Sequence, residues 1–327
     1  MSEQAATRAV TTAQPLSLRV ARYALPVVFV LFVIFFSFAV PDLFPTLDTL
    51  TTLLRTESVS AILAIALIFP LVIGRFDVSV GANLGLGAIL ATGLPSLQGL
   101  PLGVSVVLAI LGCALVGLIN GLFIAKVGIN ALVTTLGVSI IVTGSVAWYT
   151  HGNVIYTNVP KALPQFSDLA LFGVPAPALV LVAVAAIAWY ALDHTPFGRQ
   201  LYAVGGSAEA AHLSGVNVSR LTVLAFVISG FLAGVAGVLE ASQLGSGNPN
   251  VGPPFLLPAF AAAFLGATAF KVGVFNVFGT VLAVFTVAVG IAGLQLMGVE
   301  FFVAPIFQGV ALIAAVTAAR FLQQEEI

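Results

Sequence analysis

Five polar side chains fall inside or at the edges of long apolar stretches: Asp77, Ser79, Asn83, Asn120 and Asn276. A charge in hydrocarbon costs about 2.5–3.5 kcal/mol on insertion scales, so polar groups at such depth mark candidate functional positions. Amides and hydroxyls donate and accept hydrogen bonds at once, which suits contact with a hydroxyl-rich neutral solute. Gln295 and Gln308 offer the same chemistry. Asn120, beside Gly121, equally suits packing between helices. Asp77 precedes an apolar run, so its carboxylate is expected to cap the N–H groups of Ser79 and Val80. A pairing with Arg75 would lower the cost of burying it. Glu240 lies near the end of another apolar run and reads as a headgroup-level residue or a gate. His151, His194 and His212 are widely spaced, which argues against a metal site. None of the three lysines, Lys126, Lys161 and Lys271, lies in a G-x-x-x-x-G-K-[ST] loop. The chain is therefore read as having no catalytic residues and no bound cofactor.

One polar stretch, residues 193–220, carries helix punctuation. Ser207 suits an N-cap, Ala208 to Leu213 are helix-permissive, and Gly215 suits a stop. This spacing predicts a short helix of roughly two turns between two apolar runs.

The elements that must position these residues follow from composition. The chain has 327 residues, of which 60% are hydrophobic and 7% charged, against roughly 25% charged in a soluble domain. In a bilayer every backbone polar group must be paired internally, which leaves helical bundles and closed barrels. The apolar runs are long and show no period-2 alternation, so the fold class is all-α, a polytopic membrane bundle. Spans are expected at 24–41, 58–73, 79–94, 101–125, 129–147, 175–192, 221–242, 254–270, 274–292 and 303–320. That makes about ten crossings. Of the eleven Lys and Arg residues, Arg8, Arg19, Arg22, Arg75, Lys126, Arg199, Arg220, Lys271 and Arg320 then share one side. Only Arg55 and Lys161 lie on the other. Basic residues concentrate in cytoplasmic loops, so both termini are expected in the cytoplasm. The expected organisation is a cytoplasmic tail over 1–23, a transmembrane domain over 24–320 and a short cytoplasmic tail over 321–327. Residues 148–174 form an external loop and 193–220 a cytoplasmic one. The first apolar run is longer than a usual signal h-region and is read as an uncleaved helix. Cys113, the sole cysteine, reads as a small packing residue. No basic patch or stacking array points to nucleic acid.

Several segments together resemble one family. Glu209-Ala210-Ala211 followed by Gly215 resembles the EAA…G pattern of ABC importer permeases. Gly74-Arg-Phe-Asp-Val-Ser-Val-Gly81 resembles the GGIDLSVG signature of ribose-type sugar permeases, with Arg75 where that family usually has Gly. Gly117 to Lys126, Leu132 to Gly137, Gly198 to Gly205 and Ala210 to Arg220 continue the likeness over about residues 55–320. The resemblance implies the translocation subunit of an ATP-driven importer for a monosaccharide or small polyol, in a bacterial plasma (inner) membrane. It implies that Arg199, Gly205, Glu209, Ala210, Ala211, Gly215, Asn217 and Arg220 couple to a separate ATPase subunit that hydrolyses the ATP. It also implies an extracytoplasmic solute-binding protein and a second permease copy, identical or homologous. The alternatives are a branched-chain amino acid or nucleoside permease of the same class, and a secondary transporter driven by an ion gradient. Along the path the expected lining is Asp77, Ser79, Asn83, Asn120 and Asn276.

Overall fold

The computed structural model describes residues 16–300 and 302–324. Most of the predicted tail up to residue 23, and residues 325–327 of the C-terminal tail, lie outside the described residues. Helix dominates what is described. In chain order the helices are α1 (Leu16–Ala39), α2 (Leu47–Val72), α3 (Val80–Gln98), α4 (Leu102–Leu122) and α5 (Ala131–Thr150). They continue with α6 (Ala162–Asp168), α7 (Ala176–His194), α8 (Pro196–Gly206), α9 (Ala208–Leu213) and α10 (Val218–Leu244). The last three are α11 (Pro253–Gly266), α12 (Val277–Leu296) and α13 (Val303–Gln324). A wide π-helical turn, Phe123–Val127, extends α4. Two-residue strands β1 (Ala170–Leu171) and β2 (Val174–Pro175) make a small antiparallel hairpin. Among the described residues, eight helices are long and apolar enough to cross a membrane.

The connections gather at two ends. At one, Arg22 donates to the Phe270 carbonyl at 2.6 Å, Lys271 pairs with Asp193 at 2.7 Å, and α8 and α9 lie across the helix termini. We call this the loop end. At the opposite end Tyr149 meets Gln98 at 2.7 Å, and Ile155 bridges to Gly247. The described side chains of Arg22, Arg75, Lys126, Arg199, Arg220 and Lys271 belong to the loop end. Arg55 and Lys161 belong to the opposite one.

Helix α2 is the axis of the bundle. From Ser58 to Val72 all its side chains but Ser60 are buried, enclosed by α7, α10, α11 and α12. Helix α10 packs against α2, α3 and α4. It approaches α4 so closely that a Cβ on Gly230 would strike the Cys113 carbonyl oxygen. Such contact without side chains is how helices associate where no hydrophobic drive separates them from lipid. Cys113 is wholly buried there, as the packing reading expected.

Two expected spans are corrected. The second helix starts at Leu47, eleven residues before the predicted start at 58. Thr46 caps it, its hydroxyl accepting from the Thr49 N–H at 3.2 Å. The run at 254–270 is helical only over the fourteen residues of α11, about 21 Å and too short to cross alone. Residues 267–270, the remainder of the expected span, form turns and bends. Gly247 packs on Thr92 of α3, and Gly252 packs on Gly81, so residues 245–252 run back along α3 before α11 begins. Irregular backbone is tolerated at that depth because protein surrounds it.

Candidate functional site

The chain between α2 and α3 turns at Gly74, in the left-handed region at φ 71°, and delivers Asp77 into the bundle. Asp77 is 1% exposed. Its carboxylate accepts from the Ser79 N–H at 3.1 Å, the Ser79 hydroxyl at 2.6 Å and the Ser229 hydroxyl of α10 at 2.7 Å. Asn120 of α4 donates to Ser79 Oγ at 2.8 Å, and the Val78 N–H reaches Thr135 Oγ1 of α5 at 3.1 Å. One turn along α3, Asn83 donates to the Cys113 carbonyl at 3.0 Å, and the Cys113 thiol donates back to the Asn83 carbonyl at 3.3 Å. A buried charge is tolerated only when such donors replace water.

The capping expectation is thus right for Ser79 and wrong for Val80 and Arg75. Among the described residues the ion pairs are Arg55–Asp168 at 3.1 Å and Lys271–Asp193. Two hydroxyls, not a cation, hold Asp77. Asn276 stands elsewhere. It caps α12 by accepting from the Gly279 N–H at 2.8 Å, and its amide donates to the carbonyls of Gly266, Ala269 and Val274 at 3.0–3.1 Å. The structure therefore brings Asp77, Ser79, Asn83 and Asn120 together as a tie between α3, α4 and α10, and commits Asn276 to a turn. None of the five borders the large cavity described below.

The loop after α7 folds as two short helices. Thr195 caps α8 and Ser207 caps α9, each hydroxyl accepting from an N–H three residues on. Gly215 closes α9 at φ 85°, with the Val216 N–H returning to the Ala211 carbonyl at 3.0 Å. Asn217 caps α10 through the Arg220 N–H at 2.9 Å. The predicted helix over 208–213 is present, and α8 ahead of it is an addition.

The eight residues expected to contact another protein divide by direction. Arg199, Gly205, Glu209, Ala210, Gly215, Asn217 and Arg220 are exposed. Ala211 is 5% exposed and faces inward. Gly205 seats α8 on the end of α2, where a Cβ would strike the Val72 carbonyl oxygen. Asn217 serves as a cap. Leu213, 82% exposed at the tip of α9, is an outward apolar contact that sequence reading passed over. A groove of about 640 Å³ runs beside α9, lined by Arg75, Glu209, His212, Gly215 and Asn217 among others. Tyr202 fastens α8 to the turn before α12, donating to the Phe275 carbonyl at 2.8 Å. Burial, and then the nearby Asp193 carboxylate, push its phenol above the usual range.

A cavity of about 670 Å³ opens between α2, α11, α12 and α13. Its polar lining is Asp48, Thr49, Thr52, Thr56, Glu57, Ser60, Gln295 and Gln308. Of these only the two glutamines were singled out in the sequence. The available signal was the three- and four-residue spacing of Thr49, Thr52, Thr56 and Ser60. Glu240 lies in the last two turns of α10 and is half-buried.

Comparison with known proteins gives concordant results. The family model described as the permease component of the branched-chain amino acid transport system matches residues 49–316. The ribose import permease protein RbsC of Haemophilus influenzae is 32% identical over 290 residues, covering 88% of this chain and 89% of that protein. RbsC of Bacillus subtilis is 35% identical over 289 residues, again 88% and 89%. The autoinducer 2 import system permease protein LsrD of Photorhabdus laumondii is 32% identical over 301 residues, 90% and 89%. No solved structure matches the chain.

Proposed function

We propose, from the premise that this chain belongs to the family of permease components of the branched-chain amino acid transport system, that it is the translocation subunit of an ATP-driven importer for a monosaccharide or related small polyol. It is a multi-pass membrane protein, and its place is the bacterial inner membrane. The carrying observation is the likeness of nearly its whole length to import permeases, two of them named for ribose. The chain itself is not an enzyme. A separate ATPase subunit hydrolyses the ATP, a solute-binding protein delivers the solute, and a second permease copy completes the pathway. The α8–α9 pair is the docking point for the ATPase. Glu209, Ala210 and Leu213 face outward there, on a helix with a cap at each end.

Co-purification with the ATPase tests this reading. Gly215→Val forces a β-branched residue into the left-handed region, at roughly 1–2 kcal/mol, and Glu209→Lys reverses an exposed charge. Both variants are expected to reach the membrane, to lose the ATPase and to stop transport of D-ribose, the neutral probe. Undiminished association of both removes α9 from the docking role.

A further inference from the structure

The cavity between α2, α11, α12 and α13 has a volume of about 670 Å³, inside the ~300–1,000 Å³ range of small-molecule sites. Its walls differ in chemistry. Helix α2 lines it with Thr49, Thr52, Thr56 and Ser60, residues three or four apart and so on one helix face. Facing them are Phe255, Pro258, Val284, Val287 and Ile291 of α11 and α12. Gln295 and Gln308 add two side-chain amides.

Its charge is one-sided. Asp48 and Glu57 border the cavity, and among the described residues no Lys, Arg or His does. The first turn of α11 offers little to an anion either. Pro253 and Pro254 have no N–H, and the Phe255 N–H is spent on the Gly252 carbonyl at 3.1 Å.

A solute carboxylate or phosphate would meet two carboxylates and no compensating cation, which costs a great deal in a site drier than water. A neutral polyol meets the opposite case. Its hydroxyls donate to Glu57 and to the Thr56 hydroxyl, whose own proton goes to the Thr52 carbonyl at 3.0 Å, and take hydrogen bonds from Thr52 and the glutamines, while its C–H face lies on the apolar wall.

We infer that this cavity is where the permease holds its solute, that Thr52, Thr56 and Glu57 read the solute's hydroxyls, and that a lining with two carboxylates and, among the described residues, no cation selects against anionic groups such as the phosphate of a phosphorylated sugar. This rests on the importer reading, and it divides the family's name from this chain's cargo. Among the described residues no cation lines the cavity to pair the carboxylate of a branched-chain amino acid.

The test uses the full chain assembled with its ATPase and binding protein in proteoliposomes, with D-ribose and L-leucine as probes. Wild type is expected to take up D-ribose and not L-leucine. Thr52→Val with Thr56→Val should lower D-ribose uptake about thirtyfold below saturation, the loss expected for two neutral hydrogen bonds, and Thr52→Ser with Thr56→Ser should restore it. Wild-type flux through the valine variant overturns the inference and leaves the importer reading standing. A wild type that moves no neutral sugar overturns both.

Labelling checks the same point without flux. Thr56→Cys places a thiol in the cavity against a background of one native cysteine, Cys113, which is 0% exposed. A membrane-impermeant maleimide should react with it from the α1–α2 side, and D-ribose, but not L-leucine, should slow that reaction. Equal rates with and without D-ribose, or protection by L-leucine, overturn the assignment.

Discussion

Gly205→Ala and Gly206→Ala are adjacent and chemically identical changes for which the structure predicts opposite signs. Both glycines close α8, and neither has a positive φ. A Cβ on Gly206 meets nothing within 4 Å. Alanine there brings only its helix preference, about 0.5–1 kcal/mol in favour of the fold. A Cβ on Gly205 lands on the backbone oxygen of Val72, with the carbonyl carbon behind it at 3.1 Å. A carbonyl at a helix end cannot swing aside as a side chain does, so α8 must lift from α2. Overpacking of this kind costs about 1–3 kcal/mol, which outweighs the helix gain.

The assay is thermal unfolding of the purified full chain in detergent, followed by tryptophan fluorescence. Trp189 reports the right region, since its ring packs against His194 and Phe278 at 4.6 and 5.5 Å. At about 2–4 °C per kcal/mol, Gly205→Ala should unfold several degrees below wild type and Gly206→Ala at or above it. With the ATPase reconstituted, Gly205→Ala should also transport less solute per ATP hydrolysed. Equal stability of the two variants would refute the claim that α8 is seated on α2 through this glycine.

Three further outcomes follow from the same contacts. Asp77→Ala strands three buried donors, at about 1–3 kcal/mol for each that finds no water. Ser229→Ala removes one donor and should cost less; equal losses in unfolding midpoint would contradict the network. Tyr202→Phe deletes the 2.8 Å bond to the Phe275 carbonyl, about 1 kcal/mol. It should leave the amount of folded protein nearly unchanged while lowering transport per ATP, measured in proteoliposomes. Gly117→Ala drives a methyl into the Phe226 carbonyl, whereas Gly137→Ala meets nothing within 4 Å. Size-exclusion profiles should show loss of folded protein for the first alone.

What was legible in the sequence was local. Ser207 and Gly215 bracket α9 because a cap and a left-handed stop act within a few residues of their own position. Asp77 was readable as a partner of Ser79 for the same reason, but Ser229 lies 152 residues away. The start of α2 was missed because Asp48, Thr49, Thr52, Arg55 and Glu57 lower its hydropathy. That measure assumes lipid on every side, and α2 instead faces other helices and a polar cavity. The eighth run misled in the other direction. Its start at Pro253 is within one residue of the expected 254, but the helix stops at Gly266, four residues short of 270, where the chain turns and Phe270 takes a φ of 59°.

Helix α2 joins the two regions that the sequence left unconnected. Its last residue, Val72, carries Gly205 of α8, while its first half, from Asp48 to Ser60, borders the cavity. Twenty-six residues make a rod of about 39 Å, packed through its middle, with its one break in hydrogen bonding at Pro70, beside the α8 contact. The cavity's other wall connects to the same loop by a separate route. Tyr202 holds the Phe275 carbonyl and Asp193 holds Lys271, and both contacts grip the turn from which α11 and α12 depart. A partner that shifts α8 and α9 therefore pulls on both walls at once, by packing through α2 and by hydrogen bonding through the 267–276 turn. Packed interfaces of this kind move as bodies and do not deform smoothly. The two routes are separable. Gly205→Ala releases the first wall and Tyr202→Phe the second, so if both are needed to close the cavity on its solute, each variant alone uncouples transport and the double variant is no worse than either.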